Sequence, residues 1–174
     1  MKKLMVAVLL LAGAVMMPLA AQGQAAVYGT FTVDKMQNLV SDNELYGATV
    51  GVFAEGPKVL KVLTLGGDVE GRFVHKSDFN YDTATIGAHV SVPFCWSLRP
   101  YAGFNFGFGR IKNLQDQPQP TTDGLIEFKG GLSKKISGHF DVVGEFSDSQ
   151  FYAFDGEYNP KAFNLGLVYH FDKR

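Results

Sequence analysis

LRPYAGFNFGFGR, residues 98–110, decides the fold. Its even positions from 102 onward include Ala102, Phe104, Phe106 and Phe108, while its odd positions are Arg99, Tyr101, Gly103, Asn105, Gly107 and Gly109. An extended strand puts alternate side chains on opposite faces, whereas a helix would spread these four apolar residues around its circumference. The segment is therefore a strand with one aromatic face and one face of glycine and polar groups.

The same separation recurs on both sides. Residues 63–74 set Leu63, Leu65, Gly67, Val69, Gly71 and Phe73 against Thr64, Gly66, Asp68, Glu70, Arg72 and Val74. Residues 83–92 set Ile86, Ala88, Val90 and Val92 against Thr85, Gly87, His89 and Ser91. In residues 124–132, Ile126, Phe128 and Leu132 alternate with Glu127, Lys129 and Gly131, and in residues 139–147, Phe140, Val142 and Phe146 alternate with Asp141 and Glu145. The last segment sets Phe163, Leu165, Leu167, Tyr169 and Phe171 against Asn164, Gly166 and His170. With residues 26–33 and 44–53 this makes eight strands, an even number that a closed antiparallel up-and-down barrel requires.

The connections alternate in character, as in a hairpin meander with two unlike ends. Residues 34–43, 75–82, 111–123 and 148–160 are polar and read as long loops at one end. Residues 54–62, 93–97 and 133–138 read as tighter links at the other. Aromatics beside acids in residues 148–160, and Pro118 and Pro120 in residues 111–123, mark the long loops as candidate surface-contact sites.

The N-terminus reads as a signal peptide over residues 1–25. Lys2 and Lys3 precede an uncharged apolar run from Leu4 to Met17, followed by small residues and Gln. That run is shorter than the roughly 20 residues a membrane-spanning helix needs. Gly23 and Ala25 fit the small-x-small rule for cleavage after Ala25, and sites after Ala20 or Ala21 stay open. Without the leader's two Lys the basic residues fall from 16 to 14 against 17 acidic, a net charge of −3, and all 15 Phe, 7 Tyr and the single Trp lie in residues 26–174. That balance removes the electrostatic basis for nucleic-acid binding. One Cys excludes a disulfide framework and a cysteine zinc cluster.

Alternation does not by itself say which face is inside. Two observations favour an apolar face turned to lipid. Nine Phe of the strands share it, more than an eight-stranded interior holds with room for a ligand. The opposite face is small, with Gly66, Gly87, Gly103, Gly107, Gly109, Gly131 and Gly166, as a cramped lumen needs and a solvated surface does not. The alternative is a soluble, lipocalin-like barrel carrying a small apolar ligand. In the lipid-facing reading, Asp68, Glu70, Arg72, Glu127, Lys129, Asp141 and Glu145 point into the lumen, where they must pair because an unpaired buried charge is costly. Arg99 and His89 join them near the tight-link end. Trp96, Tyr101 and Tyr169 read as an interfacial aromatic girdle.

In the last strand Asn164, Gly166, Tyr169 and Phe171 form polar-x-Gly-x-x-aromatic-x-aromatic, which resembles the C-terminal signal that outer-membrane barrels present to the bacterial barrel-assembly machinery. Asp172, Lys173 and Arg174 follow the final aromatic, whereas the family commonly ends on it. With the eight-strand meander, the mature chain resembles the small OmpA/OmpX-type outer-membrane barrels without an appended domain. The resemblance implies an all-β transmembrane barrel in the outer membrane. Its partners would be outer-membrane lipid and lipopolysaccharide, the assembly machinery and a surface ligand at the loops, and it would act as a monomer without cofactor or enzymatic activity. His89 and Ser91 make an H-x-S pair like that of outer-membrane lipid A deacylases. Residues two apart on a strand share a face by geometry alone, so the pair carries little weight. His75, His139 and His170 have no partner at metal-ligand spacing.

Overall fold

A computed structural model describes residues 24–37, 43–59, 62–77, 79–113, 120–153 and 156–171. Residues 1–25, expected from the sequence to be a signal peptide, lie outside them apart from Gln24 and Ala25. Eight strands follow in order: β1 (Gln24–Gln37), β2 (Asn43–Val59), β3 (Leu63–Lys76), β4 (Phe79–Ser91), β5 (Leu98–Asn113), β6 (Thr121–Lys135), β7 (Phe140–Ala153) and β8 (Gly156–His170). Each pairs antiparallel with the next, and β1 pairs with β8, so the sheet closes into a barrel. Closure leaves no unpaired strand edge, which is the condition for strands to cross hydrocarbon.

Alternation sets the two faces along every strand. Phe31, Phe104, Phe106, Phe108, Phe128, Phe146 and Phe163 are exposed, Phe108 at 66% of its surface, whereas Arg72 on the inner face is 0% exposed. This inverts the arrangement of a soluble protein, and the lipocalin-like alternative is not favoured. Glycine matters where strands run close to other groups on the inner face. A side chain at Gly107 would have its Cβ 2.0 Å from the Ala84 carbonyl oxygen, while one at the outward Gly144 would meet nothing within 4 Å.

The strands are longer than their alternation indicates. The polar segments 34–43, 75–82, 111–123 and 148–160, expected as long loops, contribute to strands at both of their ends among the described residues: β1 runs to Gln37, β4 starts at Phe79, β5 runs to Asn113 and β7 to Ala153. Toward that end the inner face itself turns apolar, with Met36, Leu45, Val74, Phe79 and Tyr81 buried together, so the apolar-out, polar-in alternation fades while backbone pairing continues. At the opposite end, residues 54–62 are not a simple link. β2 continues to Val59 with a register shift between Glu55 and Lys58, a bulge that re-pairs Lys58 with Thr64. The 93–97 link closes through a short 3₁₀ turn, Cys95–Ser97, with Trp96 at φ 60° and Ser97 at φ 63°. Two successive left-handed residues match the right-handed twist of a hairpin, and Phe94 N–H donates to the Leu98 carbonyl at 2.9 Å.

Candidate functional site

The inner face converges on two buried cations. The Arg72 guanidinium donates to Glu127 Oε2 at 2.6 Å and Ser147 Oγ at 2.9 Å, with Asp34 at 3.5 Å and Glu70 at 3.6 Å. Lys129 pairs with Asp68 and, at 2.9 Å, with Glu70 Oε2. Glu70 thus joins two clusters whose cations come from β3 and β6. Neutral donors complete the set: the Tyr28 hydroxyl donates to Glu70 at 2.8 Å, Ser149 to Glu127 at 2.8 Å, and Asn105 Nδ2 to Asp68 at 3.0 Å.

Of the seven expected lumen residues, Asp68, Glu70, Arg72, Glu127 and Lys129 meet in this network. Glu145 lies beside it, accepting hydrogen bonds from Tyr101 at 2.8 Å and Asn164 at 2.9 Å. Asp141 stands apart and meets His170 Nε2 at 3.1 Å. Near the same end Arg99 donates to both oxygens of Glu55, at 2.6 and 2.9 Å, and His89 Nδ1 lies 3.7 Å from Asp68. Hydrogen bonds to charged groups in a low-dielectric interior are among the strongest available, so the network both fills and stiffens the lumen.

Two residues depart from their sequence reading, and a third, Ser91, bears on the H-x-S pair. Tyr101 is not in the girdle; its hydroxyl turns inward to Glu145. Asp34, read as the start of a loop, is fully buried beside Arg72. Extending the even-numbered parity of Thr30 and Thr32 by one step would have found it. Ser91 is buried with its hydroxyl unpartnered, so it makes no hydrogen bond with His89 and the H-x-S pair forms no nucleophile–base couple. Among the described residues no group of three His, Cys, Asp or Glu is placed to hold a metal ion.

Of the C-terminal motif, Asn164 faces the lumen, and its Oδ1 accepts from Thr32 at 2.7 Å. Gly166 sits at the β1–β8 seam opposite Thr30. Tyr169 and Phe171 face outward with their rings edge to face at 5.6 Å, and Phe171 N–H donates to the Ala25 carbonyl at 3.1 Å. Trp96 is 84% exposed at the 93–97 turn.

The model of the outer membrane protein beta-barrel domain matches residues 6–171. Among solved structures the chain is similar to Ail, the attachment invasion locus protein of Yersinia pestis, at a TM-score of 0.59 and 13% identity, over 86% of this chain and 99% of that one. It is similar to Neisserial surface protein A at a TM-score of 0.58 and 13% identity, over 86% and 97%. The outer membrane protein OprG from Pseudomonas aeruginosa matches at 0.53 and 10%, over 87% and 97%. At these identities the likeness is one of fold. Nothing among curated protein sequences matches the chain.

Proposed function

The chain belongs to the outer membrane protein beta-barrel domain family, and on that premise we propose that it is a non-enzymatic barrel supporting envelope integrity and surface contact. It sits in the outer membrane, with its aromatic face in lipid. The observation that carries the proposal is the lumen itself: buried ion pairs fill it, and the H-x-S pair lacks the hydrogen bond that a nucleophile needs.

The rim opposite the 93–97 turn faces the cell exterior and meets lipopolysaccharide. Lys35 and Lys161 stand directly opposite each other across β1 and β8, and Arg110 and Lys112 lie on the outward parity of β5. This concentration of cations on one rim suits an anionic headgroup. Asn164, Gly166, Tyr169 and Phe171 serve as the signal read by the barrel-assembly machinery, with the two aromatics presented outward on the last strand. The proposed working form is a monomer, a reading supported by the closed barrel, which leaves no strand edge for a second copy to pair with.

The test compares cells with and without the protein. Loss should raise sensitivity to detergent and large antibiotics, and re-expression should restore the barrier, while the lipid A mass profile stays the same in both. A changed lipid A profile would overturn the non-enzymatic reading, and an unchanged barrier would overturn the envelope role.

A further inference from the structure

Lys134 occupies an unusual place on the barrel wall. The outward parity of β6 runs through Ile126, Phe128, Gly130 and Leu132 to Lys134, and Ile136 follows it. Among the described residues Lys134 is the one Lys, Arg, Asp or Glu on the lipid-facing parity of the strands below the rim marked by Lys35, Asp82, Arg110, Asp148 and Lys161. Its cross-strand partners are apolar, Leu98 on β5 and Val142 on β7. Lys134 is exposed and makes no hydrogen bond or ion pair with any described residue. The inward cations nearby differ in this respect: Arg99 is held by Glu55, and Lys129 by Asp68 and Glu70. A cation on the lipid face is tolerated only near the membrane surface, where its long stem lies along apolar neighbours and its ammonium reaches a headgroup. With no carboxylate beside Lys134, the counter-ion has to come from the lipid.

The adjoining 93–97 turn presents a second group at the same end. Phe94 N–H donates to the Leu98 carbonyl, and Leu98 pairs with Lys134, so Phe94, Leu98 and Lys134 form one row across β4, β5 and β6. At the tip beyond that row Trp96 is held at φ 60°, a conformation that turns ordinarily give to Gly or Asn and that a bulky residue adopts at a cost. Its indole, 84% exposed, joins an apolar ring to an N–H donor, the combination that suits the boundary between hydrocarbon and headgroups. The row is continuous with the lipid face of Phe104, Phe106 and Phe108, so the occupant of this surface is lipid. A zwitterionic headgroup carries its own ammonium beside the phosphate and competes with Lys134. An anionic headgroup leaves its phosphate free to pair.

We propose that Lys134 and the 93–97 turn form a binding site for an anionic phospholipid, its phosphate at the Lys134 ammonium, Trp96 at headgroup level and its acyl chains along Phe94, Leu98 and Leu132. The site requires neither the envelope role nor the orientation proposed above, because vesicles with the same lipids in both leaflets test it whichever end faces the periplasm.

Trp96 is the only Trp in the chain, so its fluorescence reads this turn alone. The purified protein is folded into phosphatidylcholine vesicles containing a small, equal fraction of either phosphatidylglycerol or phosphatidylcholine brominated near the top of the acyl chain. Brominated phosphatidylglycerol should quench Trp96 more strongly, giving a relative affinity of about fivefold, the factor that one Lys contributes at an anionic surface. Lys134→Gln should bring the ratio to about one, and Lys134→Arg should retain it. Lys58→Gln, which removes an exposed cation opposite the inward Thr64, should leave it unchanged. Unheated gel mobility confirms that each variant is folded. Equal quenching by the two lipids, no quenching by either, a preference that survives Lys134→Gln, or one lost equally in Lys58→Gln would each overturn the proposal.

Discussion

Arg72 shows how much one residue decides in this barrel. Its guanidinium is fully buried and serves Glu127, Ser147, Asp34 and Glu70 at once. Truncation would leave three carboxylates facing one another in a low-dielectric interior, and breaking a buried pair costs far more than the pair contributes net. Arg72→Ala should therefore destabilise the folded barrel by about 3–5 kcal/mol in urea titrations. Lys161→Ala, which removes an exposed pair with Asp148, should cost under about 1 kcal/mol. Similar losses for the two variants would sink the claim that the lumen network holds the barrel together. Tyr101 carries a related lesson. Its parity groups it with Gly103 and Asn105, while its chemistry suits a membrane interface, and the partner waiting inside, Glu145, decided between them.

At the scale of strands, closure depends on how near β8 comes to β1. A Cβ at Gly166 would lie 2.1 Å from the Gly29 carbonyl oxygen and 2.5 Å from Thr30 Cα, so no side chain fits at that seam. Gly166→Val should abolish the folded band in unheated gel electrophoresis, and Gly144→Val, whose side chain would project into open space on the outer face, should retain it. β1 also bears on processing. Gln24 pairs with Glu55 and Ala25 with Ala54, and the Ala25 carbonyl accepts from Phe171. Cleavage after Ala25 would remove these bonds, whereas cleavage after Ala20 or Ala21 keeps them. The intact mass of the purified protein is expected to match the earlier cut, and a chain beginning at Ala26 would contradict it. Strands of 13 to 17 residues also exceed the roughly 9–11 that cross a bilayer, so the barrel wall rises beyond the membrane.

As a whole, the molecule is a closed wall around a filled core. Aqueous channels belong to barrels of about 16 to 18 strands, and eight leave an interior that side chains fill. A cavity of about 70 Å³, with Glu145 and Lys129 in its wall, is confined to one end, and the Arg72 cluster lies beyond it. Liposomes carrying the protein are expected to take up small sugars no faster than protein-free liposomes, and swelling at the rate of a porin would show the lumen to be open.

Period-2 alternation, as in residues 98–110, is written in the chain itself, because an extended backbone sends neighbouring side chains to opposite faces whatever surrounds it. From it follow the strands, the lipid face of Phe104, Phe106 and Phe108, and the inward set that includes Asp68, Arg72 and Glu127. The ends of the strands were not legible, since toward that rim the inward positions turn apolar at Met36, Leu45, Val74 and Tyr81 and the apolar-out, polar-in alternation no longer marks the pairing; Asp34 was lost to the loop reading for this reason. Nor were the partners. Arg72 and Glu127 are 55 residues apart and meet only because closing the sheet brings β3 and β6 across one lumen. Which charges pair, which carboxylate is left with neutral donors, and where a cavity remains are set by the stagger and diameter of the closed barrel, quantities that no single strand contains.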